Sequence, residues 1–220
     1  MRKTTALLIF ARTASEESKH KRFLASKAFF EYQNNKVLNI AKSSGLDYYW
    51  IHDRLQVGNS FEERFLNAIQ NLFELGYNEV ITIGNDSPEL QKQHIHQALT
   101  VLKTNDMCFG PSHDGGFYLW GLKKDDFLKE DFLNFSWNTS TLLSEILEEL
   151  KSKSISCLEV LAEMDRQENA IYFFSKSDFT SKLKSILESI VSTQKTNVLD
   201  SPQYFTSNYS PVYYNKGSPL

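Results

Sequence analysis

The chain has 220 residues, 41% hydrophobic and 23% charged, an ordinary soluble globular composition with room for one full α/β core. Its net charge of -3 supplies no global basic field of the kind that draws nucleic acid or an anionic membrane. No apolar run approaches the ~20 residues of a membrane span, and the short run after Met1-Arg2-Lys3 lacks a small-residue cleavage site, so the expected location is the cytoplasm.

Apolar runs alternate with amphipathic segments along the first half of the chain. TALLIFA (5–11) reads as a buried strand, and residues 23–44 carry apolar side chains at helical spacing up to the helix stop Gly45. YYWIHD (48–53) is a second strand. Residues 61–76 form a helix opened by Ser60 with Glu63 as a capping box and closed by Gly76. EVITIG (79–84) is a third strand and 89–103 the helix after it. Strand and helix repeated three times with short connections predict a parallel sheet covered on both faces. The pattern then changes. MCFGP (107–111) and FYLWGL (117–122) are strands separated by SHDGG, which fits a tight turn or bent hairpin. A helix over 139–153, a strand at 156–161 and a helix over 178–192 follow. The expected fold class is therefore α/β with a mainly parallel mixed sheet. Residues 1–195 are one domain, and 196–220 an irregular tail carrying Tyr204, Phe205, Tyr213 and Tyr214. Cys108 and Cys157 both sit in apolar strand-like runs and are expected to be buried free thiols.

Ligands of open α/β sheets bind beyond the carboxyl ends of the strands, so the polar residues there carry the chemistry. They are Arg12 after the first strand, Asp53 after the second, and Asn85 and Asp86 after the third. His113, Asp114, Gly115 and Gly116 lie between the later strands, and Asp165 follows the strand at 156–161. Asp86, just before Ser87-Pro88, reads either as a helix cap or as a hard-cation ligand, and one carboxylate can be both. Asp114-Gly115-Gly116 reads either as a hairpin turn or as main chain that must come close to a ligand. The loop 11–23 follows the first strand, where phosphate loops usually lie, and carries Arg12, Lys19, Lys21 and Arg22. It contains no glycine, so a glycine-rich cradle is excluded. Trp137 opens the loop before the helix at 139 and is placed to stack on a base or sugar. His94 and His96, two apart on a helix, face different ways and make a poor metal pair.

Taken together, FAR (10–12), IGNDSP (83–88), GPSHDGGFYLWGL (110–122), SWNT (136–139) and MDRQE (164–168) resemble one bacterial family. It is the group of radical-SAM/selenodomain-associated transferases, nucleotide-sugar glycosyltransferases by prediction, related in fold to molybdenum-cofactor and 2-phospholactate guanylyltransferases. The resemblance implies a GT-A-like, three-layer fold. It implies a Mg²⁺ or Mn²⁺ ion on Asp86 and Asp165, and Asp114, Gly115 and Gly116 in the sugar or acceptor pocket, with Asp114 acting there as the catalytic residue. It also implies Arg12, Lys21 and Arg22 facing nucleotide phosphates, with Asn85 and Trp137 completing the substrate site. Where the family has a Pro- and Gly-containing first loop ending in K-T-R, this chain has neither the prolines nor the glycine. His20 takes the lysine position, and Glu163 replaces the first Asp of the later acidic run.

Three functions follow. The first is metal-dependent glycosyl transfer from a nucleotide-diphospho-sugar. The second is nucleotidyl transfer, joining a nucleoside triphosphate to a phosphorylated small molecule. The third is a non-catalytic role as a binding protein, in which the tail aromatics cover the strand ends or support a homodimer.

Overall fold

In the computed structural model, which describes residues 4–176 and 178–197, six strands form one sheet in the order β2-β1-β3-β5-β4-β6. They are β1 (Thr5–Phe10), β2 (Asp47–Ile51), β3 (Glu79–Ile83), β4 (Met107–Pro111), β5 (Phe117–Lys123) and β6 (Ile155–Cys157). β1 pairs parallel with β2 and β3, β4 pairs parallel with β6, and β5 is antiparallel to both β3 and β4. The mainly parallel mixed sheet is the one expected.

Alternation along each strand sorts the core into two layers. Ala6 and Leu8 of β1, Val80 of β3 and Trp120 and Leu122 of β5 face α3 (Phe61–Glu74), α5 (Lys129–Leu133) and α6 (Leu142–Glu149). Leu7 and Ile9, Ile81 and Ile83, and Leu119 face α2 (Ser26–Ser44) and α4 (Lys92–Leu102). Each fully buried Leu, Ile or Phe contributes roughly 1.5–3 kcal/mol, and the first layer is dominated by rings. Trp120 stacks on Phe109 at 5.6 Å and lies 4.8 Å from Phe132. The indole N–H of Trp120 is buried without a hydrogen-bond partner, a cost of about 1–3 kcal/mol that this packing offsets. A third cluster joins Phe29 and Phe30 of α2 to α7 (Asn169–Phe174) and α8 (Ser181–Asn197).

Several boundaries differ from those read in the sequence, each for a local reason. The basic first loop contains a helix, α1 (Ala14–His20), with Glu16 and Glu17 in its first turn and Lys19 and His20 in its last. That charge order suits the helix dipole. The next helix therefore starts at Ser26 rather than 23, after a turn in which Ala25 takes a left-handed conformation with φ 57°. Helix α4 starts at Lys92, not 89, because Ser87–Leu90 is used up in a turn closed by Leu90 N–H donating to Ser87 O. Its start is held by Gln91 N–H donating to Nδ1 of His94 at 3.0 Å, so Asp86 does not cap it. The helix expected over 139–153 is α6, shortened because Asn138 has φ 60° and Thr139 folds back onto Ser136 O. The run 156–161 pairs as β6 only to Cys157, then returns as a single bridge between Leu161 and Ser112. Cys108 is buried as expected, but Cys157 is exposed, because β6 is the sheet edge; both thiols are free. Residues 198–220, which include the tail tyrosines, lie outside the described residues. No helix among the described residues is long and apolar enough to cross a membrane.

Candidate active site

The chain leaves β1 towards β2 on one side and returns from β2 to β3 on the other, so strand order reverses between β1 and β3. Such a switch point leaves a crevice over the strand carboxyl ends. A cleft of about 540 Å³ lies there, bounded by residues after β1, β3 and β4, the start of β5, and loops 137–140 and 163–165.

Two loops are tied together at its floor. Met164 N–H donates to Asp86 O at 2.9 Å, and Met164 itself is fully buried. In an extended segment alternate residues share a face, so Glu163 and Asp165 both turn towards the cleft, beside Asp86. Asp114, Glu163 and Asp165 each present a carboxylate oxygen within 4.8 Å of the other two. Asp114 is steadied by its own turn: one oxygen accepts from the Ser112 hydroxyl and from Gly116 N–H, the latter at 3.0 Å.

Opposite the acids, α1 delivers Lys21. Its Nζ lies 2.6 Å from Asp86 Oδ1, 2.7 Å from Asp165 Oδ1 and 3.8 Å from Glu17 Oε1. Burial works against the ammonium, yet Asp86, Asp165 and Glu17 outweigh it and hold the lysine pKa above its ordinary value. Glu17, only 4% exposed, is also paired with Arg12 at 3.3 Å. Burial, then the charges of Asp86, Asp114 and Asp165, push the Glu163 carboxyl well above the usual carboxylate range.

That shift has a sign. An acid whose folded pKa is raised stabilises the fold below its unfolded pKa and loses that contribution as pH rises through the folded value. In metal-free buffer at pH 7.5, Glu163→Gln is expected to melt higher than the parent by roughly 2–4 °C, the shift that about 1 kcal/mol produces in a domain of this size. The gain should shrink as pH falls from the raised folded value towards the ordinary Glu value of 4.5 and be absent below it. Melting curves from pH 4 to 8 check this, and a gain confined to low pH would reverse the sign.

The other wall is aromatic. Phe61, Phe65, Phe117 and Trp137 meet in edge, tilted and stacked contacts 5.7–6.4 Å apart, and all four line the cleft. The indole N–H of Trp137 donates to Phe132 O at 2.7 Å, which fixes the ring and leaves it as an apolar surface.

The residues singled out in the sequence divide into three groups. Arg12, Lys21, Asp86, Asp114, Gly116, Trp137 and Asp165 all reach the cleft. Asn85 lines it, but its amide donates to Asn34 Oδ1 at 2.7 Å and so braces α2. Gly115 and Arg22 stand aside. Gly115 has φ +92°, and a Cβ there would meet Ser140 O at 1.9 Å, so what approaches this glycine closely is the 140 loop. Arg22 is exposed and turned back onto Lys19 O. Asp53 accepts from Thr13 N–H at 2.8 Å and anchors the start of α1. The sequence reading passed over Phe61 and Phe117, took Glu17 only as negative charge where phosphates should approach, and counted Glu163 only as a substitution. The alternation Glu163-Met164-Asp165 was the available signal for the last.

Comparison with known proteins places the fold. Residues 48–139 match the family DUF2064, described as an uncharacterized protein conserved in bacteria. The crystal structure of a proposed nucleotide-diphospho-sugar transferase from Desulfovibrio desulfuricans G20 superposes with TM-score 0.76 at 20% identity, over 87% of this chain and 97% of that one. The 4-diphosphocytidyl-2C-methyl-D-erythritol synthase of Anaerococcus prevotii does so with TM-score 0.52 at 11% identity, over 78% and 97%. The fold is thus the nucleotide-diphospho-sugar transferase-like α/β fold expected. More narrowly in sequence, the chain is 38% identical over 72 residues to the 2-phospho-L-lactate guanylyltransferase of Methanocaldococcus jannaschii, a match covering 32% of each chain. The chain therefore spans about a third of the length of that curated relative.

Proposed function

We propose that the cleft carries out nucleotidyl transfer: a nucleoside triphosphate is joined to a phosphorylated small acid and pyrophosphate is released. In this reaction an oxygen of the acceptor phosphate attacks the α-phosphorus, the bond to the β-phosphate oxygen breaks, and the electron pair leaves with pyrophosphate. The observation that carries the reading is the convergence at the switch point of Lys21, the acids Asp86, Asp114, Glu163 and Asp165, and an aromatic wall. The partial match to a guanylyltransferase supports it.

The donor set fits a hard divalent cation, because all four acids offer carboxylate oxygens, the ligands Mg²⁺ and Mn²⁺ prefer. Asp114, Glu163 and Asp165, with Asp86 beside them, would hold it. When bound, such an ion neutralises phosphate oxygens and the leaving pyrophosphate. Arg12 and Lys21 provide the charge that orients the triphosphate. Phe61, Phe117 and Trp137 offer a base a surface to stack on and keep water from that side.

The test is pyrophosphate release from GTP, CTP, ATP and UTP with small phosphorylated carboxylic acids, 2-phospholactate among them, in Mg²⁺ or Mn²⁺. The expected result is cation-dependent release with one nucleotide preferred. No release from any combination sinks the proposal.

A second reading, glycosyl transfer as in the radical-SAM/selenodomain-associated group, draws support from the Desulfovibrio structure. Its mark would be calorimetric binding of UDP- or GDP-sugars with Mn²⁺ in a protein that releases no pyrophosphate.

A further inference from the structure

We infer that Lys21 is a resident counter-ion: a divalent cation enters this site by displacing it from Asp86 and Asp165, and the freed ammonium then becomes a phosphate contact. The inference rests on the cation site proposed above and concerns how that site is filled. Its starting point is position. The Lys21 Nζ lies 2.6 and 2.7 Å from carboxylates on two different loops, the place from which an ion would bridge them.

Two further observations make this occupancy exchangeable. Asp86 Oδ1 is buried, yet despite the nearby ammonium it receives no hydrogen bond of normal geometry. A buried carboxylate oxygen left in that state gains from a better-placed cation. The main chain around the lysine is also held independently of its side chain. Lys21 N–H donates to Glu17 O at 2.9 Å, Lys21 O accepts from the Ser26 hydroxyl at 2.6 Å, and Met164 N–H holds Asp86 O. The four-carbon stem can swing while both loops stay in place.

Charge sets the order of events. Even with Glu163 protonated, Glu17, Asp86, Asp114 and Asp165 outnumber Arg12 and Lys21 in the lining of the described cleft, so it repels phosphate. A divalent cation has to arrive first. Its arrival would offset the acids and release Lys21, the lysine among the described residues that reaches them.

One substitution should therefore move two affinities in opposite directions. In Lys21→Met, Mn²⁺ alone, followed by electron paramagnetic resonance or calorimetry, is expected to bind at least about tenfold more tightly, a change of ~1.4 kcal/mol. Inorganic pyrophosphate, titrated at saturating Mn²⁺, is expected to bind at least about tenfold more weakly. Lys21→Arg keeps the charge and should keep the weak Mn²⁺ affinity of the parent. A Lys21→Met protein with native circular dichroism that binds Mn²⁺ no more tightly than the parent overturns the inference. So does the absence of Mn²⁺ binding in all three proteins at millimolar ion. Failure of nucleotidyl transfer itself is read separately, from pyrophosphate release by the parent protein.

Discussion

Asp86→Asn is expected to lower transfer by about 10²–10³-fold, the size of loss typical when one member of a charge-stabilising set is removed, here a carboxylate that would hold the cation. The substitution is chosen because it spares the fold. The main-chain oxygen that accepts from Met164 N–H is unchanged, and Lys21 keeps Asp165 at 2.7 Å as a partner. The side chain keeps one carbonyl oxygen but loses its charge, so the effect is confined to what the carboxylate attracts. Mn²⁺ affinity should fall with the rate. Pyrophosphate release and Mn²⁺ titration on the same preparation check both, and full activity in Asp86→Asn would remove Asp86 from the cation set.

Among the described glycines, Gly115→Ala should be the most damaging, for reasons of space rather than chemistry. At φ +92° an alanine is strained, and its Cβ would lie 1.9 Å from Ser140 O and 2.5 Å from Ser140 C. Both are main-chain atoms, so no side chain can rotate away. The Gly115 carbonyl also accepts from Leu143 N–H at 3.1 Å at the start of α6, and that bond has to move too. A cost of about 3 kcal/mol or more is expected, combining backbone strain with the displaced loop. Gly116→Ala is the comparison. Its Cβ would meet only the side-chain oxygens of Asp114 and Ser112 at 3.3 Å. Thermal unfolding of the two variants should separate them by several degrees, and equal melting points would show that the 140 loop yields freely.

How much of this was legible in the residues depends on range. β1, β3, β4 and β5 were marked by their own apolar runs, and α3 by Ser60 and Glu63. Ser60 Oγ does accept from Glu63 N–H, at 3.3 Å. The change of pattern after residue 104 marked the hairpin, but nothing local says that β5 is inserted between β3 and β4. Asp86, Asp114 and Asp165 were visible as acids at strand ends. Their meeting was not, because it depends on a main-chain bond between residues 86 and 164. The first loop misled in the other direction. It was read as a basic loop, yet the charge order of Ala14–His20 is that of a short helix, and that helix presents Lys21 to the acids. Gly115 was credited to a ligand because a sequence cannot distinguish one close neighbour from another.

The antiparallel placement of β5 also bears on how the chain assembles. β1, β2 and β3 come from the first 83 residues, and with their helices they can pair among themselves. β4 and β5 are joined by the short turn at 112–116 and pair with each other along most of their length. The hairpin is therefore a local unit that docks onto β3 through its second strand. Until it does, β3 is a bare edge of Val80, Ile81 and Ile83, apolar and open to strands from other chains. The step that closes the sheet is thus the same step that brings Asp114 across to Asp86. In this architecture an exposed aggregation edge disappears as the candidate cleft gains its Asp114 side.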